Sequence, residues 1–499
     1  MHDDLFHTLD EAPADPILSV SARFARDNRA EKVNLGVGAY LDTNGNPTTL
    51  EVVRQEETAL AGTPGGSRHY YGPMSGDAAL RGAVQELLFG ADSEIVRSKR
   101  AATVQTLGGT GALRLAGDLL ASRLSCTVGA TSNPTWDNHN ALFAASGLKV
   151  LRYRYYKPEV GVDFEGLIED LQALPEKSVT LLHACCHNPT GYDLNSDQWN
   201  EVLDVCRKNR LIALLDIAYQ GFGDGLTEDT YAVRLFAQSG LDFFVSSSFS
   251  KNFGLYGERI GALTVVTQNE KEAHAVLTQA ESLVRSSYSN PPLHGARIVR
   301  NILTDPVKKA AWENEVNGMR NRIRTMRVTL ARAMKEIGAK RDFSFIARQK
   351  GMFSYTGFTP EQIERLASDF GIYAIQNGRI CLCGLNDKNI DYVARAFSAV
   401  LSRGFGKKRI DSFFGSATQR KHPFCRTEKT PNRVLPIFPI VYIVPLLHSP
   451  IAQSVEQRTV NPWVVGSSPT RGARFKKRST IRWPFFSVLS DLPIGNPTR

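Results

Sequence analysis

The sequence predicts an α/β fold: a large domain with a mostly parallel central sheet between helices, plus a smaller α+β domain. Three short apolar runs carry this prediction, namely "SVTLLHACC" (178–186), "LIALLDIAY" (211–219) and "LDFFVSSSF" (241–249). Polar or Gly/Pro turns bound each run, and stretches with helical periodicity separate them. Continuous apolar runs of this length, alternating with helices, are typical of parallel strands that are covered on both faces.

Four segments follow one another along the chain. Residues 1–45 join a short helical pattern to the extended run "EKVNLGVGAYLD", and we expect this arm to pack against the smaller domain. Residues 46–310 form the predicted large domain, whose helices include "DAALRGAVQELLFG", ended by its glycine. Residues 311–404 contain most of a long amphipathic helix and form the predicted smaller domain, which ends with the helix "NIDYVARAFSAVLSRG".

The last segment, residues 405–499, differs from the rest in composition. It holds 11 of the 24 prolines and 16 Lys and Arg against 4 Asp and Glu. The whole chain has 60 Lys and Arg and 50 Asp and Glu. Residues 1–404 therefore have 44 basic and 46 acidic residues, and the net charge of +10 comes from the tail. We predict a largely disordered tail. Its segment "SVEQRTVNPWVVGSSPTRGA" resembles the in-frame translation of a tRNA gene.

The basic tail raises one alternative function, a nucleic-acid module attached to an inactive scaffold. The tail lacks the interleaved basic and aromatic residues of such modules, so we expect no nucleic-acid partner. The seven cysteines lack paired C-x-x-C spacing and predict reduced thiols without a metal. The acidic N-terminus does not resemble a signal peptide, and no apolar run is long enough to span a membrane. We therefore expect a cytoplasmic protein.

Polar residues cluster where the predicted strands end. "TLGGTGAL" (106–113) is a glycine turn entering a helix, and the next strand ends carry Asn188, Asp216 with Tyr219, and Ser248 with Lys251. Each feature alone has an ordinary explanation, such as a helix start, a helix cap or a solvated lysine. Ligands of an open parallel sheet bind at the carboxyl ends of its strands, so the combination indicates a binding site.

Lys251 decides which chemistry this site predicts. A lysine among hydroxyls at a strand end suits a desolvated amine that forms a Schiff base. Gly109 and Thr110, at a helix N-terminus, would offer N–H groups to a phosphate, and the same phosphate would contact Ser248 and Arg259. Asp216 can keep a pyridine nitrogen protonated. These are the parts that pyridoxal 5′-phosphate requires.

Four motifs then carry a family resemblance: "HNPTG" (187–191), "DIAYQGF" (216–222), "SFSKNFGLYGERIGA" (248–262) and "YSNPP" (288–292). From about Asp10 to Leu401 the chain resembles the fold-type I aspartate/aromatic amino-acid aminotransferases. "QTLGGTGAL", "NSDQW" and "GMFSYTGF" favour the bacterial aromatic branch. The resemblance implies a homodimer with shared active sites that transfers amino groups by a ping-pong mechanism.

The resemblance also implies a role for each matching residue. Lys251 would form the internal aldimine and move a proton between the substrate Cα and cofactor C4′. Asp216, supported by His139, would pair with the pyridine nitrogen, and Arg379 would bind the substrate α-carboxylate. Arg285 would cross the dimer interface to the side-chain carboxylate of a dicarboxylic substrate. The remaining contacts would come from Gly109, Thr110, Ser248, Arg259 and the second subunit's Tyr70 at the phosphate, Trp136, Asn188 and Tyr219 at the ring, and Gly38, Trp136 and Asn188 at the substrate.

Two substrate ranges remain open at this point. The first is transamination of aromatic amino acids and aspartate with 2-oxoglutarate, and the alternative is a strict aspartate aminotransferase. Ala39, Leu41 and His69 near the expected substrate entrance depart from an aspartate-like set, whereas Thr110 and Asn290 agree with it. The mixture favours dual specificity. His183 and His187, on either side of the cysteine pair, are expected to be packed histidines.

Overall fold

A computed structural model describes residues 6–63, 70–158 and 160–402. The chain divides into two units, Met1–Arg420 and Lys421–Arg499, and every described residue belongs to the first. His69 and the tail 405–499 lie outside the described residues, so the expectation of a disordered tail stays a prediction.

Helices make up most of the regular structure. Asp15 and Asp305 cap two of them, each followed by a proline at the first helical position, and Thr359 caps a third with Gln362 in a reciprocal capping box. The helices are α1 Pro16–Arg26, α2 Glu51–Gly62, α3 Ala78–Phe89, α4 Glu94–Arg97, α5 Gly108–Leu124, α6 Asn138–Ala145, α7 Phe164–Gln172, α8 Ser196–Lys208, α9 Tyr231–Ala237, α10 Glu270–Ser287, α11 His294–Thr304, α12 Pro306–Glu336, α13 Phe345–Arg348, α14 Pro360–Phe370 and α15 Ile390–Leu401.

The strands of the described residues form one seven-stranded sheet and three two-stranded sheets. They are β1 Val33–Asn34, β2 Ala101–Leu107, β3 Val128–Asn133, β4 Lys149–Arg154, β5 Tyr156–Lys157, β6 Gly161–Val162, β7 Val179–His183, β8 Ile212–Ile217, β9 Phe243–Ser248, β10 Ile260–Val266, β11 Phe353–Tyr355, β12 Ile372–Tyr373 and β13 Arg379–Cys381.

The large sheet has the strand order β2-β10-β9-β8-β7-β3-β4. Only β10 runs against its neighbours, pairing antiparallel with both β2 and β9. Both faces are buried, because alternate residues of the central strands enter different hydrophobic clusters: Leu214 and Phe244 one, Leu215 and Val245 the other. The predicted mostly parallel sheet between helices is therefore confirmed, and the three apolar runs correspond to β7, β8 and β9.

One of the two-stranded sheets joins the first described strand to a strand near the end of the described residues. β1 pairs in parallel with β12, and β11 pairs antiparallel with β13. The 31-residue helix α12 contacts α11, α13 and α15. The pairing of β1 with β12 is the contact expected of an N-terminal arm, while the domain boundaries themselves stay a prediction. Among the described residues, no helix is both long and apolar enough to cross a bilayer.

Candidate active site

The topology brings the predicted site residues to one edge of the large sheet. Strands β2, β7, β8 and β9 run in the same direction, so their carboxyl ends meet at that edge. β10 runs the other way, and its amino end therefore lies there too. Ile260, its first residue, is paired with Leu107, the last residue of β2. This reversal places Arg259 beside the start of α5.

A cavity of about 440 Å³ opens at this edge. Eleven of the thirteen predicted site residues line it: Gly38, Gly109, Thr110, Trp136, Asn188, Asp216, Tyr219, Ser248, Lys251, Arg259 and Arg379. They come from segments more than 340 residues apart in sequence, and their convergence is what the motif order predicts.

Lys251 follows β9 and lies in the wall of the cavity. Its Nζ is 4.8 Å from the centre of the Tyr219 ring. Burial lowers the pKa of the Lys251 amine to about 8, with a contribution from Arg259 and Arg379, although Asp216 acts in the opposite direction. A substantial fraction of this amine is therefore neutral near pH 8, as a nucleophile or proton acceptor must be.

Asp216, near the end of β8, is buried beside His139. The His139 Nε2 atom lies 3.3 Å from Oδ2 of Asp216, and its Nδ1 lies 2.8 Å from Oγ1 of Thr135. Because an ionised carboxylate only accepts, Nε2–H donates to Asp216 and Nδ1 accepts from the threonine hydroxyl. Burial acts to raise the pKa of Asp216, but the hydrogen bond from His139 and the nearby Lys251 amine lower it overall. Asp216 is thus a buried anion at neutral pH.

The start of α5 forms a cradle of hydrogen-bond donors. Leu107, at the N-cap, makes no side-chain cap, and the Gly108 N–H donates to the Arg259 carbonyl at 2.9 Å, so the N–H groups that follow, from Gly109 onward, keep their capacity for a ligand. Gly108 has φ +68°, and a Cβ there would lie 2.6 Å from Nη2 of Arg259. A Cβ on Gly109 would lie 3.1 Å from that of Ser248. Glycine therefore allows the helix start, the serine and the arginine to approach one another.

Arg379 begins β13 and is buried at the cavity wall. Its Nη1 donates to Oδ1 of Asn188 at 3.3 Å, and its guanidinium carbon lies 4.2 Å from the centre of the Phe353 ring. Nδ2 of Asn188 donates in turn to the Tyr219 hydroxyl at 3.4 Å. Burial lowers the pKa of Arg379, partly offset by Tyr219 and Cys381, and its Nε has no partner among the described residues. A buried guanidinium with unused donors is suited to a carboxylate ligand.

Two predicted residues, Tyr70 and Arg285, do not line the cavity. Tyr70 is 81% exposed, with Tyr71 as a ring neighbour. Arg285 is exposed near the end of α10, and its Nη1 donates to Ser289. Both are predicted to serve the active site of a second subunit. Their position in a single chain leaves that expectation untested.

The cavity also has lining residues that the sequence did not single out. They include Ile17 and Leu18 of α1, and also Ser250, Tyr256 and Phe353. His183, expected only to be a packed histidine, lines the cavity as well, 5.0 Å from His139 between ring centres. Burial lowers the pKa of His183 to about 3, so its ring is neutral. Ser250 stands two residues after Ser248 in the same motif and could have been predicted from it. No sequence pattern marks Ile17 and Leu18 of α1 as site residues.

Each of two groups of described residues offers three possible metal ligands whose atoms lie within 4.8 Å of one another. The carboxylate in each group already accepts hydrogen bonds from the protein. Asp216 accepts from His139. Asp229 accepts from the backbone N–H groups of Gly221, Gly223 and Asp224. The groups are His139, His183 and Asp216, and Cys185, Cys186 and Asp229. We assign neither to a metal.

Comparison with known proteins agrees with this geometry. The sequence model of the family "aminotransferase class I and II" matches residues 30–397. Aspartate aminotransferase of Pseudomonas aeruginosa is 50% identical over 400 residues, covering 80% of this chain and 100% of that protein. Aromatic-amino-acid aminotransferase of Escherichia coli is 44% identical over 398 residues, with the same coverage. The crystal structure of aromatic-amino-acid aminotransferase from Burkholderia pseudomallei, covalently bound to pyridoxal phosphate, matches with a TM-score of 0.77 at 48% identity, covering 80% of this chain and 100% of that one.

The fold and the cavity define a pyridoxal-phosphate enzyme of fold type I. The chain belongs to the aminotransferase class I and II family, and it is a transaminase. The residues of the cavity fit the cofactor. A lysine of lowered pKa, a buried anion and an uncapped helix start with two glycines provide the amine, the counter-charge and the phosphate cradle in one cavity.

Proposed function

We propose that this enzyme transfers amino groups from aromatic amino acids and from aspartate to 2-oxoglutarate in two alternating half-reactions. The observation that carries the proposal is the presence of Lys251 and Arg379 in one cavity. The first is an amine able to change protonation state near neutral pH, and the second is a buried cation with unused donors. Together they suit a substrate that has an α-carboxylate and a transferable amino group.

Lys251 is the residue we assign to covalent attachment of the cofactor and to proton movement. When bound, the cofactor supplies an electron-withdrawing ring that weakens the bonds at the substrate Cα. Lys251 would take the proton from that carbon and return it, which requires a pKa near the working pH. The lowered pKa of its amine meets this requirement.

The other residues would bind and orient. Asp216, held by His139, would accept a hydrogen bond from a protonated pyridine nitrogen. The N–H groups of Gly109 and Thr110, with Ser248 and Arg259, would bind the phosphate. Trp136 would stack on the ring and Asn188 and Tyr219 would bind its hydroxyl oxygen. Arg379 would bind the α-carboxylate through its planar fork, close to the backbone of Gly38.

A homodimer is part of this proposal. Tyr70 and Arg285 are exposed in the single chain and away from the cavity, as expected if each completes the site of the other subunit. Arg285 would there bind the second carboxylate of aspartate, glutamate or 2-oxoglutarate. We also infer a cytoplasmic location, which is supported by six described cysteines that are buried, free thiols.

Steady-state kinetics with 2-oxoglutarate as acceptor test the substrate range. Tyrosine, phenylalanine and aspartate should each support turnover, because relatives of both kinds resemble this chain at 44–50% identity. Turnover with aspartate alone would instead indicate a strict aspartate aminotransferase. Parallel lines in double-reciprocal plots are the expected signature of the two half-reactions.

A further inference from the structure

Arg327 on α12 is a buried cation whose hydrogen bonds all go to one segment. Its side chain is among the largest that are fully enclosed within the described part of the chain, with 2% exposure. Nη1 donates to the Ile346 carbonyl at 3.2 Å and to Oγ of Ser354 at 2.6 Å. Nη2 donates to the carbonyls of Lys350 at 3.2 Å, Gly351 at 2.6 Å and Phe353 at 2.6 Å. One guanidinium thus holds the segment 346–354 at five points.

The charge of Arg327 makes this arrangement costly. Burial lowers the pKa of its guanidinium to about 10, although nearby thiols oppose the shift, so the group remains protonated at neutral pH. Its hydrogen-bond partners are four carbonyls and one hydroxyl, none of which carries a compensating charge. Removing the guanidinium would leave five buried acceptors without their donor, so Arg327 contributes both to stability and to the position of the segment, and the two contributions have to be measured separately.

The segment 346–354 leads directly to Arg379. It runs into β11, whose pairing with β13 sets Tyr355 opposite Arg379. Phe353, whose carbonyl accepts from Arg327, also supplies the ring 4.2 Å from the Arg379 guanidinium carbon. Arg327 therefore fixes the backbone of Phe353, whose ring packs against the guanidinium of Arg379.

The same segment also packs against the turn that carries Asn188. The Lys350 N–H donates to the Gly191 carbonyl at 2.6 Å. Gly351 has φ +77°, and a Cβ there would lie 2.5 Å from that of Cys186, so the contact leaves no room for a side chain. Asn188 in turn accepts from Nη1 of Arg379. Two contacts of the Arg379 guanidinium, with the Phe353 ring and the Asn188 amide, thus depend on the position of one segment, whereas its Nη2 donates to the Gly36 carbonyl at 3.3 Å outside that segment.

We propose that Arg327 is a positioning residue for substrate binding, which fixes the direction of Arg379 through the segment 346–354. The proposal rests on the proposed role of Arg379 as the ligand of the substrate α-carboxylate. Arg327 itself touches neither substrate nor cofactor. Its loss should therefore weaken carboxylate binding while cofactor binding is retained.

Binding of 3-phenylpropionate to the holoenzyme tests this separation, because that compound has the carboxylate and the aromatic ring but no amine to react. Arg327→Met should raise its dissociation constant by about 10- to 100-fold, the effect of a misplaced binding group. Arg327→Lys should recover part of the loss, since an ammonium can donate to up to three of the five acceptors. The dissociation constant of the cofactor should change much less in either variant, because the proposed contacts through Lys251, Asp216 and the start of α5 lie outside the segment 346–354.

Two further variants separate the possible failures. Leu330→Ala, at a fully buried position of the same helix, should lower the melting temperature of the protein without weakening the binding of 3-phenylpropionate. Arg379→Lys should strongly weaken the binding of 3-phenylpropionate, and if binding is unchanged, the proposed role of Arg379 is wrong. If Arg379→Lys weakens binding while Arg327→Met leaves it unchanged, the inference about Arg327 is overturned.

Ser354→Ala keeps the test decisive if Arg327→Met does not fold. It removes one of the five acceptors and leaves the arginine in place. A smaller loss of 3-phenylpropionate affinity, with unchanged cofactor affinity, is expected. Unchanged affinity for both ligands in Ser354→Ala and in Arg327→Lys would contradict the proposal.

Discussion

His139 and Asp216 form a buried pair at the edge of the sheet, with Nε2 of the histidine 3.3 Å from Oδ2 of the carboxylate. The pair keeps a negative charge near Lys251, whose amine would otherwise lose its proton more easily. Two opposing effects therefore set the state of Lys251: burial, which favours the neutral amine, and Asp216, which favours the charged one. This balance has a measurable consequence.

The rate of cofactor uptake by the apoprotein should depend on pH through Lys251. Only the neutral amine attacks the aldehyde, so the rate should rise with pH and level off above a midpoint near 8. Asp216→Asn should move that midpoint to lower pH, because the carboxylate raises the pKa of the lysine. Stopped-flow absorbance measures the rate. A midpoint near about 10.4, the ordinary value for lysine, would show that the amine is not desolvated.

Replacing Arg285 by leucine should separate the two substrate classes. For aspartate, kcat/KM should fall by about 100-fold or more, because the second carboxylate loses its charged partner. For phenylalanine it should stay almost unchanged. Arg123→Leu, at an exposed position of α5, is the matched control and should affect neither substrate. Equal losses for aspartate and phenylalanine would exclude Arg285 as the side-chain ligand.

Mixing two inactive variants should restore activity if the dimer shares its sites. Lys251→Ala lacks the amine, and Arg285→Leu lacks the aspartate ligand that would reach the other subunit. After unfolding and refolding together, hybrid dimers have one intact site, so aspartate turnover should recover to about a quarter of the wild-type value. Mixing without refolding is the control. No recovery, despite hybrid dimers detected by mass, would show that each chain uses its own Arg285.

The glycine at the start of α5 should be required for cofactor affinity. An alanine at Gly108 would be strained at φ +68° and would displace the Arg259 guanidinium. We expect the dissociation constant of the cofactor to rise by about tenfold or more. Gly318→Ala is the control, since beyond the neighbouring backbone of α12 nothing lies within 4 Å of the added Cβ, and it should stabilise the protein. Unchanged cofactor affinity in Gly108→Ala would argue against the cradle.

Sequence patterns were sufficient for the large sheet and most of its site. β7, β8 and β9 are buried on both faces, which makes them continuous apolar runs, and the polar residues that follow them mark the edge where ligands bind. The motif around Lys251 is therefore enough to predict where the cavity lies. The antiparallel direction of β10 carried no such signal, although it is what brings Arg259 to the cradle.

Other parts of the site depend on contacts that no local pattern encodes. Ile17 and Leu18 reach the cavity because α1 packs against the pair of β1 and β12, and β12 lies about 350 residues further along the chain. Arg327 looks like any other arginine of a long, charged helix, and only the packing of α12 shows that it is enclosed. The part that Phe353 plays likewise depends on the contact between its ring and Arg379, which no sequence pattern predicts. Long-range packing decides these positions.

The measurement that tests the central claim most directly is an absorbance titration of the purified holoenzyme with tyrosine and, separately, with aspartate. Each amino acid alone should abolish the visible band of the bound cofactor and produce the near-ultraviolet band of its amine form, and 2-oxoglutarate should restore the original spectrum. Conversion by both would demonstrate the half-reaction and the dual specificity in one experiment. A spectrum that neither amino acid changes, in protein that retains the cofactor, would contradict the account.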